Sequence, residues 1–220
     1  MLEAVIFDMD GVIVDTEPVY FRAINGFLNQ FGYHMDKKYN EKFFGVSSYD
    51  AWSTIKKDFA LENVSVEECV QGMMQIRNQI IKEEGYAPIK GTVSLIKELH
   101  EAGIPMAVAS SSALKDIEEI TKYFGIRDCF KDIVSGIDEC ENAKPFPDVF
   151  LKAADKLGIR PDRCLVIEDS DNGALAAKRA EMKVIGYRNP DFGNQALENA
   201  DYIVETMEDV NLKLCQKVGE

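Results

Sequence analysis

Short apolar segments alternate with amphipathic helical patterns along most of the chain, and this alternation constrains the fold more than any other feature. The segments carry apolar residues at successive positions, as do strands that are buried on both faces of a parallel sheet. Strand, helix and strand in repetition predict an α/β fold with a doubly wound, Rossmann-like parallel sheet. The predicted strands are Glu3–Phe7, Pro105–Ala109, Ile133–Val134, Cys164–Ile167, Lys183–Gly186 and Tyr202–Val204.

Three of the helices between these strands have recognisable beginnings. Thr92 and Ser112 are residue types that cap helices, and Pro147 suits the first turn of a helix. We therefore expect helices to begin at these positions and to end at the glycines that follow each apolar stripe.

The alternation is interrupted between the first and the second strand. Here Tyr20, Ile24 and Phe27 fall at helical spacing, and Ser65 with Glu68 forms a capping box before a further helix. The interruption is far longer than the ~10–12 residues that a crossover between parallel strands requires. We therefore predict a core domain of residues 1–15 and 86–220, with an all-helical cap domain of residues 16–85 inserted into it.

The composition excludes several classes of protein. The chain carries 25 Lys and Arg against 38 Asp and Glu, a formal net charge of −13 that disfavours a nucleic-acid partner. No apolar run approaches the ~20 residues that cross a bilayer, so no membrane partner is expected. The five cysteines lie far apart, without the spacing of a zinc site or a disulfide framework. We expect a cytoplasmic location, because free thiols persist in a reducing cytosol, and we also expect a monomer.

Polar side chains capable of chemistry follow several of the predicted strands. In an open α/β sheet, ligands bind beyond the carboxyl ends of the strands, so residues that follow different strands meet in one crevice. Serines at the beginning of a helix suit an anion, and a lysine between prolines is held in a stiff loop. These groups are Asp8 and Asp10, Ser110–Ser112, Lys144, and Glu168 with Asp169.

The charges of this crevice call for a cation. Two like charges ~4 Å apart repel by about 4 kcal/mol at an effective dielectric constant near 20. One lysine cannot offset the repulsion among four carboxylates and a phosphate. Mg2+ binds to one or two carboxylates together with substrate phosphate. The sequence therefore predicts a Mg2+ cofactor and an anionic, phosphorylated small-molecule substrate.

The polar groups match a known set of motifs. The run Asp8-x-Asp10-Gly11-Val12-x-x-Asp15, then Ser110, then Lys144-Pro145, then Glu168-Asp169-Ser170 resembles, in order and spacing, the four signature motifs of the haloacid dehalogenase-like hydrolases. The resemblance covers nearly the whole chain, including a helical cap inserted after the first strand. It is strongest to the branch that holds β-phosphoglucomutase and small sugar-phosphate phosphatases.

The resemblance implies catalytic roles for four residues. Asp8 would be the nucleophile that accepts the phosphoryl group and forms an aspartyl-phosphate. Asp10 would protonate the leaving alkoxide and then deprotonate the attacking water. Ser110 and Lys144 would hold the oxygens of the transferring phosphoryl group.

The resemblance also implies the ligands of the metal and of the substrate. Mg2+ would bind the carboxylates of Asp8 and Asp169 and the main-chain carbonyl of Asp10, and Glu168 would be a ligand or would support one. Substrate and phosphate would contact Ser110 and Lys144, together with Ser111, Thr16 and Gly45.

Phosphatase and mutase remain alternatives at this stage. β-Phosphoglucomutase has a histidine where this chain has Tyr20, and an arginine where Ser48 follows Gly45-Val46-Ser47. An arginine fork suits a second phosphate and serine replaces it poorly, which favours hydrolysis of a phosphomonoester over a mutase reaction. Other cations could still hold a second phosphate. Such cations exist in the inserted segment: Arg22, Lys56 and Arg77. A dehalogenase needs neither Asp10 nor a metal, so the acidic residues of this chain argue against that reaction. A non-catalytic binding protein need not keep every motif residue, whereas no motif residue is missing here.

Overall fold

A computed structural model describes residues 2–43, 46–190 and 195–220. The chain divides into two compact units. The sheet unit comprises Met1–Asp15 and Ala87–Glu220, and the helical unit comprises Thr16–Tyr86. The second boundary therefore lies one residue later than the predicted one, because Tyr86 belongs to the helical unit.

Six parallel strands form the sheet, in the order β3-β2-β1-β4-β5-β6. The four strands in the middle of this order are buried along almost their whole length, as the apolar runs of the sequence predict. The predicted α/β parallel fold is thereby confirmed. The strands are β1 (Ala4–Phe7), β2 (Met106–Ser110), β3 (Asp132–Ser135), β4 (Cys164–Glu168), β5 (Lys183–Tyr187) and β6 (Tyr202–Val204).

The described residues form ten α-helices, of which the first four belong to the helical unit. None of them combines the length and the apolar character that a membrane span needs. The helices are α1 (Glu17–Leu28), α2 (Lys37–Asn40), α3 (Ser48–Asp58), α4 (Val66–Glu84), α5 (Thr92–Glu101), α6 (Leu114–Tyr123), α7 (Gly136–Glu139), α8 (Asp148–Leu157), α9 (Asp171–Arg179) and α10 (Leu212–Val218).

The three predicted helix beginnings are each displaced along the chain. Thr92 is the first residue of α5 and does not cap it, because its hydroxyl bonds the carbonyl of Val12 instead. The helix predicted to open at Ser112 begins at Leu114, because the Ser112 side chain is bonded elsewhere. Pro147 stands immediately before α8 rather than inside its first turn.

The topology of the sheet determines where a site can form. Strand β1 lies between β2 and β4, and Phe7 at its end pairs with Val108 on one side and Ile167 on the other. The strand order reverses direction at β1 and β4, and their carboxyl ends therefore open into one crevice. Asp8 and Glu168 lie side by side at this edge.

The helical unit has an apolar core of its own. Trp52 and Ile55 of α3 are buried with Phe27 of α1 and Met73 of α4. The rings of Phe27 and Trp52 meet edge to face at a centroid distance of 5.3 Å. Offset or edge-on aromatic contacts of this kind add stability beyond the area they bury, so the aromatic stripe read in the sequence is a packing feature.

Candidate active site

One lysine joins two carboxylates at the carboxyl end of the sheet. The ammonium group of Lys144 lies 2.5 Å from Oδ1 of Asp8 and 2.8 Å from Oε1 of Glu168. All three side chains are at least nine-tenths buried. The ammonium also lies 4.8 Å from the ring centroid of Phe150 in α8, so an aromatic face covers one side of the charge. Residues 136 positions apart in the sequence are thus brought into direct contact.

Three buried carboxylates lie close enough to share a cation. One oxygen from each of Asp8, Glu168 and Asp169 lies within 4.8 Å of the others. Oδ2 of Asp169 is buried and accepts no hydrogen bond from the residues that the structure describes. A buried carboxylate oxygen without a donor is costly unless a cation or a water satisfies it. Hard oxygen ligands are those that Mg2+ prefers, so the residues present fit this ion.

Glycine is required where the β1 loop passes the carboxylate of Asp169. Gly11 has a φ of +83°, which favours glycine, and a Cβ at this position would lie 1.9 Å from Oδ2 of Asp169. The glycine therefore permits both the tight turn and the close approach of the two loops.

Glu168 is held from the opposite side by the beginning of α9. Its Oε2 accepts hydrogen bonds from the main-chain N–H of Ser170 at 2.6 Å and from the Ser170 hydroxyl at 2.9 Å. A Cβ at Gly173 would lie 1.6 Å from Oε1 of Glu168, so only glycine leaves room for this carboxylate. Both oxygens of Glu168 accept hydrogen bonds, whereas Oδ2 of Asp169 accepts none within the described part of the chain.

Burial and mutual repulsion shift the pKa values of the cluster. Burial raises the pKa of Asp8 to about 7, with a further contribution from the neighbouring carboxylates, although Lys144 opposes this rise. Burial, Glu168 and Asp8 together raise the pKa of Asp169 well above its ordinary value. Burial alone would lower the pKa of Lys144, but the carboxylates of Asp8 and Glu168 raise it above its ordinary value. One ammonium therefore does not balance the negative charge of the cluster.

The hydroxyl beside Asp10 belongs to Ser112, for which the sequence predicts a helix cap and a place among three serines that suit an anion. Oγ of Ser112 donates to Oδ2 of Asp10 at 2.7 Å. Ser110, the predicted phosphate ligand, is fully buried, and its Oγ accepts a hydrogen bond from the Ser112 N–H. Ser111 is exposed on the same loop. Three consecutive serines carry no sequence signal that distinguishes the one directed at Asp10.

The contacts of the cluster do not test the substrate roles predicted for Thr16 and Gly45. Thr16 is buried and precedes α1 in the helical unit, where its side chain makes no capping hydrogen bond. Gly45 lies outside the described residues. The binding roles of both residues stay predictions.

Distant segments anchor the loop that follows β1. The Thr92 hydroxyl donates to the carbonyl of Val12 at 2.7 Å, and Nδ2 of Asn189 donates to the carbonyl of Gly11 at 3.3 Å. Both Thr92 and Asn189 are buried. Sequence reasoning missed these supports because they lie 80 and 178 positions from their partners and belong to no recognised motif.

Comparisons with known proteins agree with this arrangement. The profile described as "Haloacid dehalogenase-like hydrolase" matches residues 5–187. The bifunctional riboflavin kinase/FMN phosphatase of Arabidopsis thaliana is 32% identical over 95% of this chain, which spans only 54% of that protein. Hexitol phosphatase B of Escherichia coli (strain K12) is 30% identical over 87% of this chain and 86% of its own length.

A solved structure extends the similarity to the whole chain. The crystal structure of β-phosphoglucomutase from Clostridium difficile superimposes with a TM-score of 0.80 at 27% identity, and the match covers 100% of this chain and 97% of that one. The resemblance inferred from the four motifs is therefore confirmed. The chain belongs to the haloacid dehalogenase-like hydrolase family.

Proposed function

We propose that the protein is a Mg2+-dependent phosphatase that hydrolyses a small phosphomonoester, a sugar phosphate in particular, through an aspartyl-phosphate on Asp8. The observation that carries this proposal is the buried contact of Lys144 with Asp8 and Glu168, beside the unsatisfied oxygen of Asp169. A nucleophile, a fixed cation and ligands for a metal thus occur in one crevice, as phosphoryl transfer requires.

The chain's own residues divide the work of the reaction. A carboxylate oxygen of Asp8 attacks phosphorus, and Lys144 offsets the charge on the phosphoryl oxygens while Ser110 helps to orient them. Asp10 gives a proton to the leaving oxygen and later takes one from the water that hydrolyses the intermediate. Ser111 directly follows Ser110 at the end of β2, and we assign it to phosphate binding as well.

Asp8 and Asp169 would hold Mg2+ through their carboxylates, and Asp10 would do so through its main-chain carbonyl. Glu168 fits a supporting role better than direct ligation, because Lys144 and Ser170 already bond both of its oxygens. A bound Mg2+ supplies the positive charge that keeps the aspartates ionised and offsets the charge of the phosphoryl oxygens.

Names of relatives support the substrate class. The matched relatives include an enzyme named for FMN phosphatase activity and one named for hexitol phosphatase activity. Both names describe phosphomonoesters of small organic molecules, which is the class proposed for this chain.

The test is release of phosphate from p-nitrophenyl phosphate and from a panel of phosphorylated metabolites, with Mg2+ and with a chelator. Asp8→Asn should abolish turnover, because an amide does not act as the nucleophile, and the quenched wild type should gain the mass of one phosphoryl group. Asp128→Asn, at an exposed aspartate that belongs to none of the four motifs, is the matched control and should retain activity. Full activity of Asp8→Asn would refute the proposal.

A phosphosugar mutase of the β-phosphoglucomutase type is the second candidate, and one observation favours it. Arg77 in α4 is buried, its guanidinium lies 5.2 Å from the ring centroid of Tyr20, and its Nε makes no hydrogen bond in the described part of the chain. A buried guanidinium of this kind suits a second phosphate. Arg22, by contrast, is committed to a two-pronged ion pair with Glu84.

Conversion of β-glucose 1-phosphate to glucose 6-phosphate, dependent on a bisphosphate primer, would support the mutase. Arg77→Met should then suppress isomerisation more than hydrolysis of p-nitrophenyl phosphate. Phosphate release without any isomerisation, with or without primer, would exclude this candidate.

A further inference from the structure

We propose that Ser112 is a positioning residue that orients the carboxyl group of Asp10 for proton transfer to and from the substrate. The inference rests on the proposed function, in which Asp10 is the general acid and base. Its basis is the hydrogen bond of 2.7 Å that the Ser112 hydroxyl donates to Oδ2 of Asp10. Among the described residues, no other side chain donates a hydrogen bond to this carboxylate.

The main chain of Ser112 is fixed on both sides by buried hydroxyl groups. Its N–H donates to Oγ of Ser110 at 3.0 Å, and its carbonyl accepts a hydrogen bond from Oγ of Ser135 at 2.8 Å. Ser110 and Ser135 are fully buried and lie opposite each other in the register of β2 and β3. The ends of two neighbouring strands therefore determine where the Ser112 hydroxyl points.

The hydrogen bond also explains why Ser112 does not begin a helix. A serine that capped α6 would direct its oxygen to the amides of the first turn. Here the helix begins two residues later, and the N–H of Leu114 is bonded by the carboxylate of Asp138 instead. The Ser112 hydroxyl is therefore available to donate its hydrogen bond to Asp10.

The contact suits both halves of the reaction. In the first half, an oxygen of Asp8 bonds to phosphorus and the bond from phosphorus to the leaving oxygen breaks, while Asp10 passes its proton to that oxygen. In the second half, a water oxygen bonds to phosphorus, its proton goes to Asp10, and the bond to Asp8 breaks. Because the Ser112 hydroxyl donates its hydrogen bond to Oδ2 of Asp10, Oδ1 is left to carry the proton. The same hydrogen bond stabilises the carboxylate of Asp10 once that proton has passed to the leaving oxygen.

The dependence on the leaving group tests this role. p-Nitrophenolate is a weak base and departs without a proton, whereas the alkoxide of a sugar phosphate needs one. Ser112→Ala should therefore lower kcat/KM about tenfold for the sugar phosphate hydrolysed fastest in the metabolite panel, the loss expected for one hydrogen bond to a charged group. The kcat/KM for p-nitrophenyl phosphate should change less than twofold, because this parameter covers only the steps up to departure of p-nitrophenolate, and Asp10 acts as the base after that.

Three further variants complete the comparison. Asp10→Asn should show the same selective loss more strongly, and Ser112→Thr should restore most of the lost activity because it keeps the hydroxyl. Ser53→Ala removes a hydroxyl that bonds a main-chain carbonyl within α3, and it should leave both substrates unaffected. Thermal unfolding should show that each variant is folded, and Ser112→Gly replaces the alanine variant if that one is not.

The outcomes separate this inference from the proposed function. A selective loss with Ser112→Ala and recovery with Ser112→Thr support the positioning role. An equal loss on both substrates would assign Ser112 to the phosphoryl group that they share, and unchanged kinetics would show no role, so either result overturns the inference. If the inference about Ser112 fails but Asp8→Asn is inactive in the same assays, the proposed function still holds. If Asp8→Asn is active, the proposed function itself is wrong.

Discussion

Removing the charge of Lys144 should strongly destabilise the metal-free protein. Lys144→Met preserves the length of the side chain and most of its contact with Phe150, but it deprives two buried carboxylates of their cation. Removing one partner of a buried ion pair typically costs about 3–5 kcal/mol, because the other charge is left uncompensated. We therefore expect the free energy of unfolding to fall by about 4 kcal/mol near pH 8, and the Tm by about 10 °C.

The loss should depend on pH in a definite direction. Burial raises the pKa of Asp8 to about 7 in the folded protein, above its value in the unfolded chain, so protonation of this group favours folding as the pH falls. Without the lysine the folded pKa rises further, and the variant loses more stability than the wild type as the pH increases. The difference between the two proteins should therefore shrink on going from about pH 8 to about pH 5.

The measurement is urea unfolding and thermal unfolding of both proteins in the presence of a chelator at several pH values. Lys90→Met is the matched control, since Lys90 forms an ion pair with Glu208 at 3.0 Å but its side chain is 83% exposed. Exposed pairs contribute about 0–1 kcal/mol, so this variant should remain close to the wild type. If Lys144→Met were no less stable than the control at any pH, the buried charge would not have the energetic role assigned to it.

Three other substitutions test neighbouring features. Gly173→Ala gains about 1 kcal/mol in helix propensity, but the added Cβ displaces the carboxylate of Glu168. Phosphatase turnover should therefore fall, and the Tm should not rise. Undiminished turnover would contradict the tight contact between Gly173 and Glu168. Mg2+ at a concentration of 100 times its dissociation constant should stabilise the wild type by about 2.7 kcal/mol and so raise its Tm. Asp169→Asn should remove this rise. If the variant kept the rise, Asp169 would be excluded as a ligand. Burial alone would raise the pKa of Glu139, but hydrogen bonds from the N–H of Ser135 and from Lys156 lower it overall. Glu139→Gln should therefore lower the free energy of unfolding by about 1 kcal/mol near neutral pH. In acid below the lowered pKa the variant and the wild type should be equally stable, as urea unfolding at several pH values can check.

The sheet and the main contacts of the site follow from simple rules of sequence. Strands β1 and β4 are continuous apolar runs, and an acidic pair follows the first of them while another closes the second. Because parallel strands in one sheet end at the same edge, Asp8 and Glu168 could be expected to meet before any coordinates were known. The ends of the strands are harder to predict. Strand β2 extends one residue beyond its predicted end, to Ser110, because that residue pairs with Ser135.

The supporting contacts could not be predicted in this way, because they depend on rotamers and on long-range packing. The hydroxyl of Ser112 could have capped a helix, bound a phosphate or faced solvent, and only the positions of Ser110 and Ser135 decide among these. Arg179 of α9 donates to the carbonyl of Pro145, the residue that follows Lys144, at 2.8 Å. A lone arginine near the end of an amphipathic helix gives no indication of that partner.

The anchor that Asn189 provides has a consequence for where the working enzyme ends. The family profile stops at residue 187, and every motif residue lies before that point. A protein shortened to this boundary would keep all its chemical groups but would lose the amide that holds the carbonyl of Gly11. The loop that carries the acidic residues after β1 therefore depends on a segment that the family's motifs do not mark, and a fragment designed from the motifs alone would leave this loop without one of its two anchors.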